Sequence, residues 1–180
     1  MPETATSFIN PARLVQSLDI SRGSAVADFG AGSGFYTIPL AEKVGPEGKV
    51  YAFDIQKDAV ARIQSLARLR HFLNVDAIVA DLELPNATHL REAVCDLVLV
   101  ASVLHQAGDP VAILKEAQRI LKPGRMLIIV EWGQSNIAGG PPPSMRLLPP
   151  RTRALAESAG FIFDRDIPAG SHHYGLLFRR

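Results

Sequence analysis

The scarcest feature of this chain is sulfur chemistry. A single cysteine, Cys95, stands in 180 residues, so no disulfide can close within the chain. Cys95 lies in an apolar run and reads as a buried small hydrophobe. Charge of one sign is also lacking. Nineteen Lys and Arg balance eighteen Asp and Glu, a net charge of +1, which offers no global basic signal for nucleic acid and no polybasic membrane patch. No apolar run reaches the length of a membrane span, and no internal repeat is visible. Met1-Pro2-Glu3-Thr4 has neither a positive leader nor an apolar signal core. These absences point to one soluble domain over residues 1–180 in a reducing cytoplasm, long enough to bury a core.

What is present is a glycine turn. Val26-Ala27-Asp28-Phe29-Gly30-Ala31-Gly32-Ser33-Gly34-Phe35-Tyr36-Thr37 runs from an apolar segment through an acid into three alternate glycines. An apolar, helix-compatible stretch then covers residues 36–44. This predicts a buried strand, a turn needing bare backbone, and a helix start with free N–H groups. A dinucleotide fingerprint requires Gly-x-Gly-x-x-Gly, and the position it needs as glycine is Phe35. Asp28, two residues before the first glycine, would repel a pyrophosphate. No Gly-Lys-Ser/Thr follows, which excludes a Walker loop.

The rest of the chain alternates strand and helix patterns. An amphipathic helix is expected over 8–18, strands over 25–29, 49–54, 76–80, 96–101 and 126–130, and helices over 57–70, 110–121 and 151–159. A short helix is expected around 88–93. Asp109-Pro110 is a capping acid followed by proline at the first helical position, and Lys122-Pro123-Gly124 reads as a tight turn. Residues 133–150, rich in Gly and Pro, read as a loop. Strands over 161–167 and 173–178 are joined by a short turn and must be antiparallel. The expectation is α/β: a doubly wound, Rossmann-like, seven-stranded, mostly parallel sheet with one antiparallel strand near the C-terminus and helices on both faces. Ligands of such sheets bind beyond the C-terminal strand ends, where Asp28, Asp54, Asp81 and Ala101 fall.

The spacing Asp-x-Gly-x-Gly-x-Gly resembles the first motif of class I S-adenosylmethionine-dependent methyltransferases. Val50-Tyr51-Ala52-Phe53-Asp54-Ile55 is similar to the family's second signature, whose acid accepts from both ribose hydroxyls. Val79-Ala80-Asp81-Leu82 resembles the segment whose acid accepts from the adenine amino group. Residues 95–105, Cys95 to His105, resemble the fourth strand and the loop facing the methionine part. Leu121-Lys122-Pro123-Gly124 and the strand after it resemble the small-molecule branch, with ubiquinone/menaquinone-type and arsenite-type relatives, although Arg125 stands where a second glycine is commoner. The resemblance implies S-adenosyl-L-methionine as cofactor, held by Asp28, Gly30, Ala31, Gly32, Gly34, Tyr36, Asp54, Ile55, Asp81, Leu82 and Ala101. It implies methyl transfer to a small-molecule acceptor by in-line displacement at the sulfonium methyl.

Two other classes stay open at this point. One is an NAD-dependent oxidoreductase, against which stand the missing third glycine and the lack of a Tyr-x-x-x-Lys pair. The other is a non-catalytic S-adenosylmethionine-binding protein. Among acceptors, arsenite needs several cysteines, and the Asn/Asp-Pro-Pro-Tyr signature of nucleic-acid amino methylation is replaced by Ala101-Ser102-Val103-Leu104. His105 and Glu131 are the candidate bases. His172 and His173 are adjacent on a strand and point to opposite faces, so no metal site is expected. Residues 1–22, with their helix, and the 133–150 loop are expected to cover the acceptor side of the pocket, with Phe8, Ile9, Met145, Leu147 and Leu148 as an apolar lining and Arg146 meeting an anionic or carbonyl group. Oligomeric state is not legible.

Overall fold

A computed structural model describes residues 9–135 and 140–180. Phe8, expected in the first helix and in the acceptor cover, lies outside the described residues. The elements are α1 (Pro11–Ser17), β1 (Ala25–Phe29), α2 (Thr37–Val44), β2 (Lys49–Asp54), α3 (Lys57–Leu69), β3 (Val75–Val79), β4 (Cys95–Ala101), α4 (Pro110–Ile120), β5 (Leu121–Trp132), α5 (Pro149–Ser158), β6 (Ile162–Ile167) and β7 (His173–Arg179). Short 3₁₀ turns cover Leu104–Gln106 and Pro143–Met145. One seven-stranded sheet has the order β3-β2-β1-β4-β5-β7-β6. β7 runs antiparallel to both neighbours, and the other pairings are parallel. No helix among the described residues is long and apolar enough to cross a membrane.

The strand period of two divides the core into two layers. Ala27, Phe29, Val98, Val100, Leu127 and Ile129 point to one face, where α4 and α5 cover them with Ile113, Leu114, Ala117, Leu155 and Ala156. Val26, Leu97, Leu99, Met126, Ile128 and Val130 point to the other, under Leu14 and Val15 of α1 and Leu40, Ala41 and Val44 of α2. On α3, Ile63 closes over Ala52 beside Ala31. Strands buried on both sides explain the near-continuous apolar runs of β1, β4 and β5.

Caps follow the sequence signals. The Asn10 side chain accepts from the Arg13 N–H at 3.0 Å, so α1 begins after residue 10 and is shorter than its periodicity predicts. Asp109 accepts from the N–H groups of Val111 and Ala112, both at 3.1 Å. The short helix expected around 88–93 is absent. Thr88 N–H and Oγ1 both bond Glu116 Oε1, at 3.0 and 2.6 Å, and Arg119 Nη1 donates to the Leu90 carbonyl at 2.8 Å. Backbone groups a helix would have paired internally are satisfied by α4, and Asn86, His89 and Ala93 take positive φ. The Lys122-Pro123-Gly124 turn is absorbed into β5 as an irregularity, since Cys95 pairs Leu121 while Leu97 pairs Met126.

Candidate cofactor cleft

The glycine turn leaves β1 with left-handed backbone at Gly30, Gly32 and Gly34, φ 71°, 52° and 82°. The N–H groups of Gly30 and Ala31 both donate to the Phe53 carbonyl, at 2.8 and 2.9 Å, which binds the turn to the end of β2. The three glycines have different surroundings. A Cβ on Gly30 would stand 1.9 Å from Val103 Cγ2, and one on Gly34 would stand 3.3 Å from Ile63 Cγ1. At Gly32 nothing lies nearer than the Gly30 carbonyl oxygen at 4.0 Å. Gly30 and Gly34 are bare for packing, whereas Gly32 is bare toward open space.

Asp54 ends β2 and organises this turn. Its Oδ2 accepts from the Gly32 N–H at 2.8 Å and its Oδ1 from the Gln56 N–H at 2.9 Å. Each carboxylate oxygen keeps a second lone pair for a ligand. Asp28 ends β1 and is only 1% exposed. The Thr37 hydroxyl donates to Asp28 Oδ2 at 2.6 Å, while the buried Oδ1 has no partner among the described residues. Burial pushes the Asp28 carboxyl up to about 6; the Thr37 bond opposes this and the Asp54 charge adds to it. Tyr36 is raised well above its ordinary value, first by burial and then by the charge of Asp28.

A cleft of about 440 Å³ opens beside the turn, at the C-terminal ends of β1, β2, β3 and β4. The turn contributes Gly30 and Gly32. The segment after β2 contributes Asp54, Ile55 and Gln56, and the segment after β3 contributes Ala80, Asp81, Leu82 and Glu83. The far wall is Ala101, Ser102, Val103, Gln106 and Ala107, with Ile113 of α4. Among the described residues, the lining holds three carboxylates and no Lys, Arg or His. It suits a ligand with an apolar body, hydroxyls and positive charge, and it disfavours phosphate.

Of the residues expected to hold a cofactor, Gly30, Gly32, Asp54, Ile55, Asp81, Leu82 and Ala101 line this cleft. Asp28, Ala31, Gly34 and Tyr36 stand outside the lining. Ala31 is buried, with its N–H already committed to Phe53. Ser102 and Val103 fall in the 95–105 stretch expected to face the methionine part, whereas Gln56, Glu83, Gln106, Ala107 and Ile113 were not foreseen. Their common signal is position, within a few residues of a parallel strand's C-terminal end or on the first turn of the helix that follows.

The second group lies where β4 and β5 end. Glu131 is fully buried, and both oxygens are used: Oε1 accepts from the Leu104 N–H at 2.8 Å and Oε2 lies 2.8 Å from His105 Nδ1. The His105 side chain is 9% exposed. Across the β5–β7 pairing, Trp132 stacks on His173 with ring centroids 4.3 Å apart. His173 titrates below its ordinary range, first because it is buried and then because His172 is near. Ser135 Oγ lies 2.8 Å from His172 Nδ1, and the Tyr174 hydroxyl donates to the Leu147 carbonyl at 2.8 Å. No metal-binding cluster exists among the described residues.

Arg146, expected to meet a ligand, meets the backbone instead. It donates to the carbonyls of Gly133, Ser135 and Pro141 at 2.9, 2.7 and 2.9 Å, tying the start of the 133–146 segment to its end. Met145 and Leu148 are exposed, whereas Leu147 packs on the α4–α5 side of the core. A separate hollow of about 600 Å³ lies between α1 and the β6–β7 connection, lined by Ile9, Asn10, Arg13, Leu14, Ser17, Pro168 and Gly170. It shares no residue with the cleft.

Comparison with known proteins bears on this geometry. A family profile described as a methyltransferase domain matches residues 20–158. The chain is similar to a demethylmenaquinone methyltransferase of Geobacillus stearothermophilus, 29% identical over 127 residues, covering 70% of this chain and 53% of that protein. It therefore spans about half the length of the relatives of that kind that it matches. A solved S-adenosylmethionine-dependent methyltransferase from Aquifex aeolicus superposes with a TM-score of 0.86 at 27% identity, over 95% of this chain and 89% of that one. The cyclase SpnF superposes with a TM-score of 0.78 at 16% identity, over 94% and 80%, a likeness of fold alone.

Proposed function

The chain belongs to the class I S-adenosylmethionine-dependent methyltransferase family, and from that premise we propose that it transfers a methyl group to a small-molecule acceptor. The observation that carries the reading is the charge of the cleft. Among the described residues, three carboxylates and no cation border it, beside a glycine turn and the buried Asp28 oxygen without a partner. S-adenosylmethionine fits this donor set, having an ammonium, a sulfonium, a ribose diol and an adenine, and no phosphate. The two phosphates of NAD would meet Asp54, Asp81 and Glu83, which disfavours the oxidoreductase reading.

In this reading Asp54 accepts from the ribose hydroxyls while its backbone bonds keep the turn in place. Gly32 lets the ligand approach the main chain, Asp81 and Leu82 hold the adenine, and Asp28 serves the ammonium directly or through water. Bound there, the cofactor supplies a methyl group already activated by the sulfonium. What the chain adds is alignment and exclusion of water. Where the acceptor must lose a proton, His105 is the base. Glu131, with both oxygens used, is a positioning residue that fixes the ring through Nδ1 and leaves Nε2 for the acceptor.

The acceptor approaches from the side bounded by α1 and the 133–150 segment, the two parts outside the repeating strand–helix units. The hollow between α1 and Pro168 supports this, because His173 pairs with Trp132 and so puts the β6–β7 connection at the sheet edge that carries the cleft. The demethylmenaquinone methyltransferases among its relatives make quinone precursors the first acceptors to try, ahead of phenols and small amines. A cytoplasmic location is part of the proposal, in line with a lone, buried cysteine, Cys95, that can close no disulfide within the chain.

Calorimetric titration with S-adenosylmethionine, its demethylated product and NAD tests the cofactor, and methyl transfer to the acceptor panel tests the activity. Binding of NAD in preference to the other two would overturn the reading. Tight binding of S-adenosylmethionine with no turnover on any acceptor class would reduce it to a binding protein.

A further inference from the structure

Residues 102–109 leave β4, form the far wall of the cleft and enter α4. Two carboxylates from different neighbours pin this strap. On the β5 side Glu131 holds Leu104 and His105. On the other side Glu83 Oε1 accepts from the Gly108 N–H at 3.1 Å and Glu83 Oε2 from the Asp109 N–H at 2.6 Å. A Cβ on Gly108 would stand 3.1 Å from Glu83 Oε2, so glycine permits this close approach. Glu83 itself belongs to the opposite wall of the cleft, held there by its own N–H bond to Asp81 Oδ1 at 3.1 Å. One carboxylate therefore ties the two walls together.

The strap needs such a tie. Ser102, where it begins, has φ 56°, a left-handed conformation unfavourable for a residue with a side chain. Its first half is anchored through Glu131. Gln106 and Ala107, which face the cleft, lie between that anchor and Glu83. A carboxylate accepting two backbone N–H groups forms charge-assisted bonds, stronger than neutral ones. A glutamine there would accept from one N–H and turn its amide donors toward the other.

We propose that Glu83 is a positioning residue for the cofactor, setting the width of the cleft by holding residues 106–109 against the segment after β3. The proposal rests on the reading that S-adenosylmethionine occupies the cleft. It makes no use of Glu83 as a ligand of the reacting atoms.

The test compares the full-length parent with Glu83→Ala and Glu83→Gln, using calorimetric titration with S-adenosylmethionine and amide hydrogen exchange. The expected result is a Kd about tenfold weaker for Glu83→Ala and an intermediate loss for Glu83→Gln. Exchange at Gly108 and Asp109 should quicken in the ligand-free variants, slow again at saturating S-adenosylmethionine, and stay unchanged in β1 and β5. If Glu83→Ala fails to fold, the isosteric Glu83→Gln decides. A lowered melting temperature with Kd within twofold of the parent in the folded variants would show a structural role alone and overturn the proposal. Failure of the parent to bind would overturn the underlying reading and this one with it, whereas a binding parent with unaffected variants overturns this one alone.

Discussion

Thr37 donates to Asp28 at 2.6 Å, yet the other Asp28 oxygen, equally buried, is left without a donor among the described residues. A buried carboxylate with an unmet acceptor costs free energy unless it is protonated or meets a cation. Burial holds the Asp28 carboxyl at about 6, so the first course is open to the protein only below that pH. In the proposed function the cofactor ammonium offers the second.

The first prediction concerns pH. Because the folded-state value of about 6 lies above the ordinary 3.8, the folded chain keeps a proton that the unfolded chain has lost. The resulting stability is fully present below about pH 3.8 and is lost as pH rises through about 6, a swing of about 3 kcal/mol. Asp28→Asn cannot titrate, so between pH 4 and 7.5 the parent should lose about that much more unfolding free energy than the variant. Cofactor affinity should show the complementary trend, tightening for the parent as Asp28 ionises above pH 6 and staying flat for the variant. Denaturant melts and titrations across that range check both, and parallel profiles for the two proteins would sink the assignment.

The glycines of the turn give a second, internally controlled prediction. Gly30→Ala must displace Val103 as well as keep a left-handed backbone, for a cost of about 2–4 kcal/mol. Gly32→Ala meets no close atom and should cost only about 1–2 kcal/mol through its φ. The order reverses for ligand binding. Gly32→Ala should remain folded at 25 °C yet bind S-adenosylmethionine at least tenfold more weakly, because its methyl group occupies the ligand side. Equal stability losses in the two variants, or unimpaired binding by Gly32→Ala, would contradict the division of roles.

His105 and Glu131 supply the third. Glu131→Ala leaves the Leu104 N–H and the His105 ring without their acceptor inside the fold, which should cost about 3 kcal/mol or more. His105→Ala keeps the Leu104 bond and should fold. With an acceptor that must lose a proton, it should lower kcat by about 100-fold or more, leaving the Kd for S-adenosylmethionine within threefold. Unchanged kcat in His105→Ala would leave alignment alone as the source of catalysis.

How much of this was legible in the sequence depends on whether the cause is local. β1, the α4 cap at Asp109 and the β6–β7 hairpin follow from apolar runs, a capping acid before proline and a short turn, all of which act within a few residues. The turn at Gly30 and the acids at strand ends were visible because the parallel sheet brings those ends to one edge. The segment at 88–93 was misread because its backbone partners, Glu116 and Arg119, are nearly thirty residues away. Arg146 was misread for the same reason. A lone arginine in a Gly/Pro loop reads as free, and only the folded loop shows three carbonyls converging on it. Gly30 reads as ligand-facing and does line the cleft, but the packing of Val103 against it is a contact between the segments that follow β1 and β4, which no local pattern announces.

Arg146 carries the last prediction. Its guanidinium draws Gly133 and Ser135, which follow β5, toward Pro141, and the Gly140 backbone rests on the Trp132 ring, where a Cβ would stand 3.1 Å from Cζ3. Trp132 in turn stacks on His173. The chain of contacts fixes the sheet edge that the proposed function gives to the acceptor, and it touches neither the glycine turn nor the acids of the cleft. Arg146→Ala removes three hydrogen bonds, of 2.7–2.9 Å, at one stroke. Arg146→Lys keeps the charge but cannot bridge three carbonyls with a planar fork. Both variants should therefore bind S-adenosylmethionine as the parent does while their KM for an identified acceptor rises about tenfold, with the lysine variant recovering little. Should acceptor KM stay at the parent value in both, the 133–146 segment protects the sheet edge and has no part in holding the acceptor.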